Sequence, residues 1–243
     1  MIVCANLTKN IELGLLFSQI SSIGFKHAQF SFVHYGINEQ NPSLDNSFPD
    51  KARQMKENAA RYKLDFPVVH GWLPTAKNES INTLAVYLEV KEILSSKYLI
   101  IHPKDHDNLV SIVELIKMQT SSDSIIVENA AETNFKMGVK EIGMVLNSGI
   151  NLCFDTCHAL ESGLNIDDFL KEIGKHIKVI HLSDFDGTKR HMVIGTKITE
   201  PFVKKIPEDV IIVFEHKAQT PSEYHDAYAE SLNRFNEMLK HPR

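Results

Sequence analysis

Six short apolar runs along the chain each end in a side chain that can bind a metal: Phe66 to His70, Tyr98 to His102, Ser124 to Glu128, Leu152 to Asp155, Ile177 to His181 and Val210 to Glu215. The polar endpoints recur at intervals of roughly 30 residues, the length of a strand, a helix and two loops. Upstream, Met1 to Ala5 reads as a first strand and Lys26 to Val33 as a second. Between them Ile11 to Ile23, with Leu15, Leu16 and Ile20, has helical spacing and stops at Gly24. A charged helix is expected from about Lys51 to Tyr62, and apolar residues three and four apart predict further helices at about Ile81 to Leu94, Leu109 to Met118 and Val139 to Leu146. Thr220, Pro221 and Glu223 form a capping-box start for the last helix, whose stripe of Tyr224, Tyr228, Leu232, Phe235 and Leu239 reads as core.

Eight strands alternating with helices in one chain of 243 residues predict an α/β fold: a single (β/α)8 TIM barrel domain spanning residues 1–243. Every strand's carboxyl end then opens on one face, where such barrels build their active sites. Asn38 to Pro49, rich in Pro, Asn, Asp and Ser, is the longest loop on that face and a candidate lid or a plain solvated loop.

Composition narrows the function class. With 43% hydrophobic and 23% charged residues, this is an ordinary globular sequence, and no apolar stretch approaches a membrane span. Met1 to Ala5 is followed at once by polar Asn6, Thr8, Lys9 and Asn10, unlike a signal peptide, so the expected location is the cytoplasm. Cys4, Cys153 and Cys157 cannot all pair and suit buried thiols better than a disulfide framework. A net charge of −5 weighs against a broad polyanion-binding surface, though a local basic groove stays compatible with it.

Glu128, Asp155, His181 and Glu215 end four consecutive strands, the fifth to the eighth. Three carboxylates meeting in one barrel mouth repel unless one takes a proton or a cation sits among them. With one imidazole they suit Zn, Mn, Mg or Fe. Each residue taken alone also reads as a solvent-facing or ion-paired strand end. His70 and His102 end the third and fourth strands; they can serve a second ion through a bridging Glu128, or act as structural or substrate-binding groups. His158, three residues after Asp155 and just where strand gives way to loop, can point into the same mouth. Arg190 and His191 lie in a polar loop after His181, where Arg190 suits a phosphate or carboxylate, or is a surface arginine. Trp72 can stack on a sugar face or serve as packing. His34 and His216 lie near strand ends and could reach the mouth; His27, His106, His176 and His241 look like helix or terminal positions.

With these residues in hand the chain resembles the xylose-isomerase-like barrel superfamily, which includes sugar isomerases, epimerases and the endonuclease IV family. Cys153-Phe154-Asp155-Thr156-Cys157-His158-Ala159 is similar to an endonuclease IV signature and to strings in the sugar enzymes. His181-Leu182-Ser183-Asp184-Phe185-Asp186-Gly187, followed by His191 and Gly195, resembles the loop of small sugar-phosphate isomerases and epimerases, as does His102-Pro103. The resemblance implies one or two divalent ions per chain, with His70, His102, Glu128, Asp155, His158, His181, His191 and Glu215 at ligand positions. It implies a metal-dependent isomerase or epimerase for a sugar, sugar phosphate or hydroxy-carbonyl compound, with Glu128 and Glu215 moving the proton and His158, Arg190 and Trp72 contacting substrate. The rival it implies is an endonuclease IV-like phosphodiester hydrolase acting on abasic-site DNA, nucleic acid being a partner only then. Lys189 stands where that family has an aspartate for a third metal, unless Asp184 or Asp186 compensates. No membrane partner is expected, and nothing in the sequence indicates an oligomeric state.

Overall fold

The computed structural model of the chain describes residues 1–8, 11–32, 47–74, 76–119, 122–132 and 135–240. Strands β1 (Ile2–Asn6), β2 (His27–Ser31), β3 (Asp65–Trp72), β4 (Tyr98–His102) and β5 (Ile125–Glu128) come first. A small hairpin, β6 (Ala131–Glu132) with β7 (Phe135–Lys136), interrupts them, and β8 (Asn151–Asp155), β9 (Ile177–Leu182) and β10 (Ile211–Phe214) complete the set. The eight long strands form a closed barrel in the order β1-β10-β9-β8-β5-β4-β3-β2, and every neighbouring pair in it runs parallel. This is the single (β/α)8 barrel that the sequence predicts.

Outside lie α1 (Leu13–Ile23), α2 (Phe48–Ala60), α3 (Lys77–Leu94), α4 (His106–Lys117), α5 (Val139–Asn147), α6 (Thr156–Glu161), α7 (Ile166–Ile173), α8 (Glu200–Lys205) and α9 (Pro221–Lys240). Helix α1 begins later than the apolar spacing suggests because Glu12 caps it, its carboxylate accepting from Gly14 N and Leu15 N. Gly24, at φ 109°, ends it in the left-handed region. Helix α2 starts earlier than Lys51, since Pro49 lies in its first turn, where the missing N–H costs nothing. Thus only the end of the predicted Asn38 to Pro49 loop is seen, as helix; residues 38–46, with Val33 and His34, lie outside the described residues. The capping box of α9 forms as expected, with Glu223 N donating to Thr220 Oγ1 and Thr220 N to Glu223 Oε2.

Two apolar layers follow from the period-2 alternation of strands. Ala5, Phe30, Val69, Ile101, Val127, Phe154, Ile180 and Phe214 face the helices within the main core. Cys4, Val68, Ile100, Ile126, Cys153, Val179 and Val213 form a separate cluster that fills the barrel's inside. Moving two residues along the same strands, from this inner layer toward the carboxyl ends, reaches Asn6, His70, His102, Glu128, Asp155, His181 and Glu215. The floor of the site is therefore a dry plug of side chains, and its polar groups stand directly on it. All three cysteines are free and buried.

Candidate metal centre

Helix α6 starts at the last residue of β8 with no loop between, which corrects the expectation of a strand giving way to loop. Asp155 is the reason: its Oδ1 accepts from His158 N at 2.7 Å and caps the helix. Asn129 holds the same turn from β5, donating to Asp155 O at 2.9 Å and accepting from Asp155 N at 2.6 Å. The Asp155 side chain is thereby aimed into the barrel, with Oδ2 buried and without a hydrogen-bond partner.

Around that atom the other strand ends converge. His181 Nδ1 lies 3.0 Å from Glu128 Oε1, 2.9 Å from Glu215 Oε2 and 3.8 Å from Asp155 Oδ2. Donor atoms of Glu128, Asp155, His181 and Glu215 all fall within 4.8 Å of one another. On the far side of Glu128, His70 Nε2 approaches Oε2 at 2.9 Å, and His102 and His158 join Glu128 in a further cluster of the same tightness. His158 Nδ1 donates to the Asn129 carbonyl at 2.9 Å, so its Nε2 is the nitrogen left for the mouth. Every proposed ligand except His191 belongs to one of these clusters. His191 stands beside His158, with ring centroids 5.6 Å apart.

Burial and charge oppose each other here. Burial pushes the Glu128 carboxyl up, but the charges of His181, His70 and His102 outweigh it and hold it well below the carboxylate range. Glu215 is likewise pushed up by burial and pulled far down by His181. Burial also disfavours a charged His181, yet Cys153, Glu128 and Glu215 keep its proton on well above the usual range. Asp155 goes the other way: burial, together with Glu128 and Glu215 and against the pull of His158, raises it to about 7. Without a cation, protons on His181 and Asp155 thus supply the positive charge that the three clustered carboxylates demand. An ion at this point would replace both protons and give Asp155 Oδ2 a partner. The residues present fit a divalent ion on those grounds, with mainly hard oxygen donors and one nitrogen.

Trp72 is half-buried on the rim, its ring 4.8 Å from His70 and 5.7 Å from His102, centroid to centroid. Its backbone is fixed by Tyr87, whose hydroxyl donates to Trp72 O at 2.7 Å and accepts from Trp72 N at 3.2 Å. Arg190 borders the cleft but is braced elsewhere: Nη2 donates to Glu161 Oε1 at 2.6 Å and to Ala131 O at 2.7 Å, and Nε lies 2.5 Å from Glu161 Oε2. The loop carrying it is organised by Asp184, whose carboxylate accepts from the backbone N–H groups of Phe185, Gly195, Thr196, Lys197 and Ile198. Asp186 is spent on Thr188 and Lys189 N–H groups. Both aspartates that could stand in for a carboxylate at Lys189 are thus hydrogen-bonded to N–H groups of their own loop. His191 sits in this loop at φ 55°, a strained value for a residue with a side chain. Of the further histidines, His216 is buried and borders the mouth.

Two residues escape a search for metal-binding types. Asn6 Nδ2 donates to Glu215 Oε1 at 3.0 Å, and Gln29 Oε1 lies 2.9 Å from His181 Nε2. Their signal is position alone: Asn6 follows Cys4 of the inner layer by two residues, and Gln29 is a buried polar residue of β2 between Ala28 and Phe30.

The cleft over the cluster measures about 220 Å³ and is lined by His70, Trp72, His102, Glu128, His158, Arg190, His191 and Glu215. It adjoins one of about 320 Å³ that shares Trp72, His191 and Glu215 and continues to Lys217, and one of about 640 Å³ bordered by Lys189, Arg190 and Lys217.

A family model described as a xylose isomerase-like TIM barrel matches residues 17–238. A protein of Thermoplasma volcanium named "Probable endonuclease 4" is 26% identical over 250 residues, covering 88% of this chain and 86% of the relative. Among solved structures, 3-keto-D-glucoside 4-epimerase of E. coli superposes with a TM-score of 0.72 at 10% identity, over 96% of this chain and 99% of that one. An AP endonuclease of family 2 from Brucella melitensis gives 0.68 at 11% identity, over 93% and 97%. No helix among the described residues is long and apolar enough to cross a membrane.

Proposed function

The chain belongs to the xylose isomerase-like TIM barrel family, and from that premise we propose that it is a divalent-metal-dependent isomerase or epimerase of a small sugar, sugar phosphate or hydroxy-carbonyl compound. One observation carries this reading. Glu128 and Glu215 meet in one cluster of donor atoms that could hold a cation, beneath a cleft of about 220 Å³ that opens into two larger ones, room for a small molecule over the ion.

Glu128, Asp155, His181 and Glu215 would hold the ion, which when bound stabilises negative charge developing on the substrate's oxygens. Glu215, with its side chain 20% exposed against 1% for Glu128, is the carboxylate that meets substrate. It takes the proton from the carbon next to the carbonyl, the electron pair moving into an enediolate. Glu215 or Glu128 returns the proton to the neighbouring carbon or the opposite face, so the reaction needs no oxidant. His158 Nε2 orients a substrate oxygen, and Trp72 covers the sugar face.

Deuterium uptake from D2O at the carbon next to the carbonyl, followed by NMR over a panel of ketoses, aldoses and their phosphates, tests the proposal. Uptake that disappears in Glu128→Gln and Glu215→Gln with metal still bound supports it; full activity in either variant removes that residue from the mechanism.

A second reading, phosphodiester hydrolysis of the endonuclease IV type, draws on the relative in Thermoplasma volcanium and on the additional imidazoles around Glu128. Two ions would then activate a water. Incision of an abasic-site duplex with steep salt dependence, and no deuterium uptake, would select it.

A further inference from the structure

We propose that Asn6 and Gln29 form a directional amide relay that positions Glu215 and His181 for the metal ion and fixes which nitrogen of His181 faces it. This rests on the metal reading of the site, not on which reaction the ion serves.

The direction of the relay follows from one end. A carboxylate oxygen only accepts, so the Asn6 atom 3.0 Å from Glu215 Oε1 is the amide nitrogen. Asn6 therefore turns its oxygen to Gln29, and the Gln29 atom 3.2 Å away is Nε2. Gln29 Oε1 is then the atom 2.9 Å from His181 Nε2. An amide oxygen also only accepts, which puts a hydrogen on His181 Nε2. What remains is Nδ1, the nitrogen that faces Glu128 and Glu215 at 3.0 and 2.9 Å. The orientation of both amides, ordinarily a matter of assignment, is here dictated by the charge of Glu215.

The consequence is preorganisation. When an ion displaces the proton on Nδ1, the ring needs neither to flip nor to change tautomer, because Nε2–H keeps its acceptor throughout. Gln29 is fully buried, so water cannot replace it. In Asn6, Gln29 and Glu215 the relay spans β1, β2 and the end of β10, strands adjacent in the barrel order.

Competition between the protein and a chromophoric chelator for Zn2+ or Mn2+ tests this without any assay of activity. Gln29→Leu removes the acceptor and should weaken ion binding roughly 10- to 100-fold. Gln29→Glu restores an acceptor for Nε2–H and should recover most of that loss. Asn6→Leu, half-buried and one link further from the imidazole, should weaken binding less and guards against a Gln29→Leu chain that does not fold. Unchanged binding in Gln29→Leu, or Gln29→Glu binding as weakly as Gln29→Leu, overturns the relay. Failure of the unaltered protein to bind either ion overturns the metal reading and the relay with it.

Discussion

Ionised Asp155 is held in the fold at an energetic loss that a proton or a cation removes, so replacing it with asparagine should stabilise the metal-free protein near neutral pH and cripple the loaded one. Its carboxyl is raised from 3.8 to about 7 by burial and the neighbouring carboxylates. A group raised in this way favours the folded state below its unfolded value, and that contribution is lost as pH climbs from 3.8 toward about 7. At roughly 1.4 kcal/mol per pH unit, the loss has an upper bound of roughly 4 kcal/mol. Asparagine stays neutral, and its oxygen can still accept from His158 N as a helix cap. Its amide hydrogens, where Oδ2 stood, can donate to Glu128 or Glu215. Urea unfolding followed by circular dichroism, in chelator at pH 5, 6, 7 and 8, should show Asp155→Asn gaining steadily on the unaltered protein and levelling off above about pH 7. With Zn2+ or Mn2+ at 100 times its dissociation constant, the unaltered protein gains about 2.7 kcal/mol by linkage, and the variant, short of a ligand, gains less. Parallel stability curves in chelator across this range, or no narrowing of the gap with metal, would refute the reasoning.

Three further outcomes follow from the same coordinates. Ion binding should release protons and tighten as pH rises toward 7, because Asp155 and His181 must give theirs up; calorimetry in two buffers of different ionisation enthalpy measures the release. Gly71→Ala should cost about 1–3 kcal/mol in urea unfolding, since a Cβ there would lie 2.6 Å from Tyr87 Cζ, displacing the ring whose hydroxyl holds the Trp72 backbone. If the substrate carries phosphate, Lys189→Ala and Lys217→Ala should each raise KM roughly two- to fivefold with kcat unchanged, the size of an exposed ion pair; equal KM values would exclude the wider cleft they border from substrate binding.

The strand ends were legible because one rule generates them. Wherever an inner-layer residue such as Val68, Ile126 or Val179 packs inside the barrel, the residue two further on faces the mouth, and an apolar run ending in His, Asp or Glu announces both at once. Contacts that depend on neighbours in space left no such trace. Arg190, in a loop, meets Glu161 at the end of α6, and nothing in the sequence separates a substrate arginine from a braced one. Asp184 and Asp186 look equivalent in sequence, yet one holds the loop together through Gly195 to Ile198 and the other a single turn. The start of α6 is hidden in the sequence because Asp155 serves two purposes, helix cap and candidate ligand, and an acidic strand end followed by His158 fits a loop as well as a capped turn. Asn6 and Gln29 carry no charge and bind metals poorly, so only the hydrogen-bond directions expose them.

The choice between sugar rearrangement and phosphodiester cleavage therefore turns on ion positions and not on the barrel. His158 and His191 stand together, ring centroids 5.6 Å apart, where the endonuclease IV resemblance would put a third ion, but the loop that supplies His191 brings the cation Lys189 instead of a carboxylate, Asp184 is held by backbone amides through both oxygens and Asp186 through one. Another divalent ion there would add its charge to that of the lysine, with only the carboxylates already gathered around His181 to offset it. The carboxylates that do offset charge, Glu128, Asp155 and Glu215, all lie around His181. That distribution gathers the negative charge for one firmly held ion at the Glu215 side of the cluster, so one ion bound per chain would support the isomerase or epimerase reading we propose, and three would overturn it.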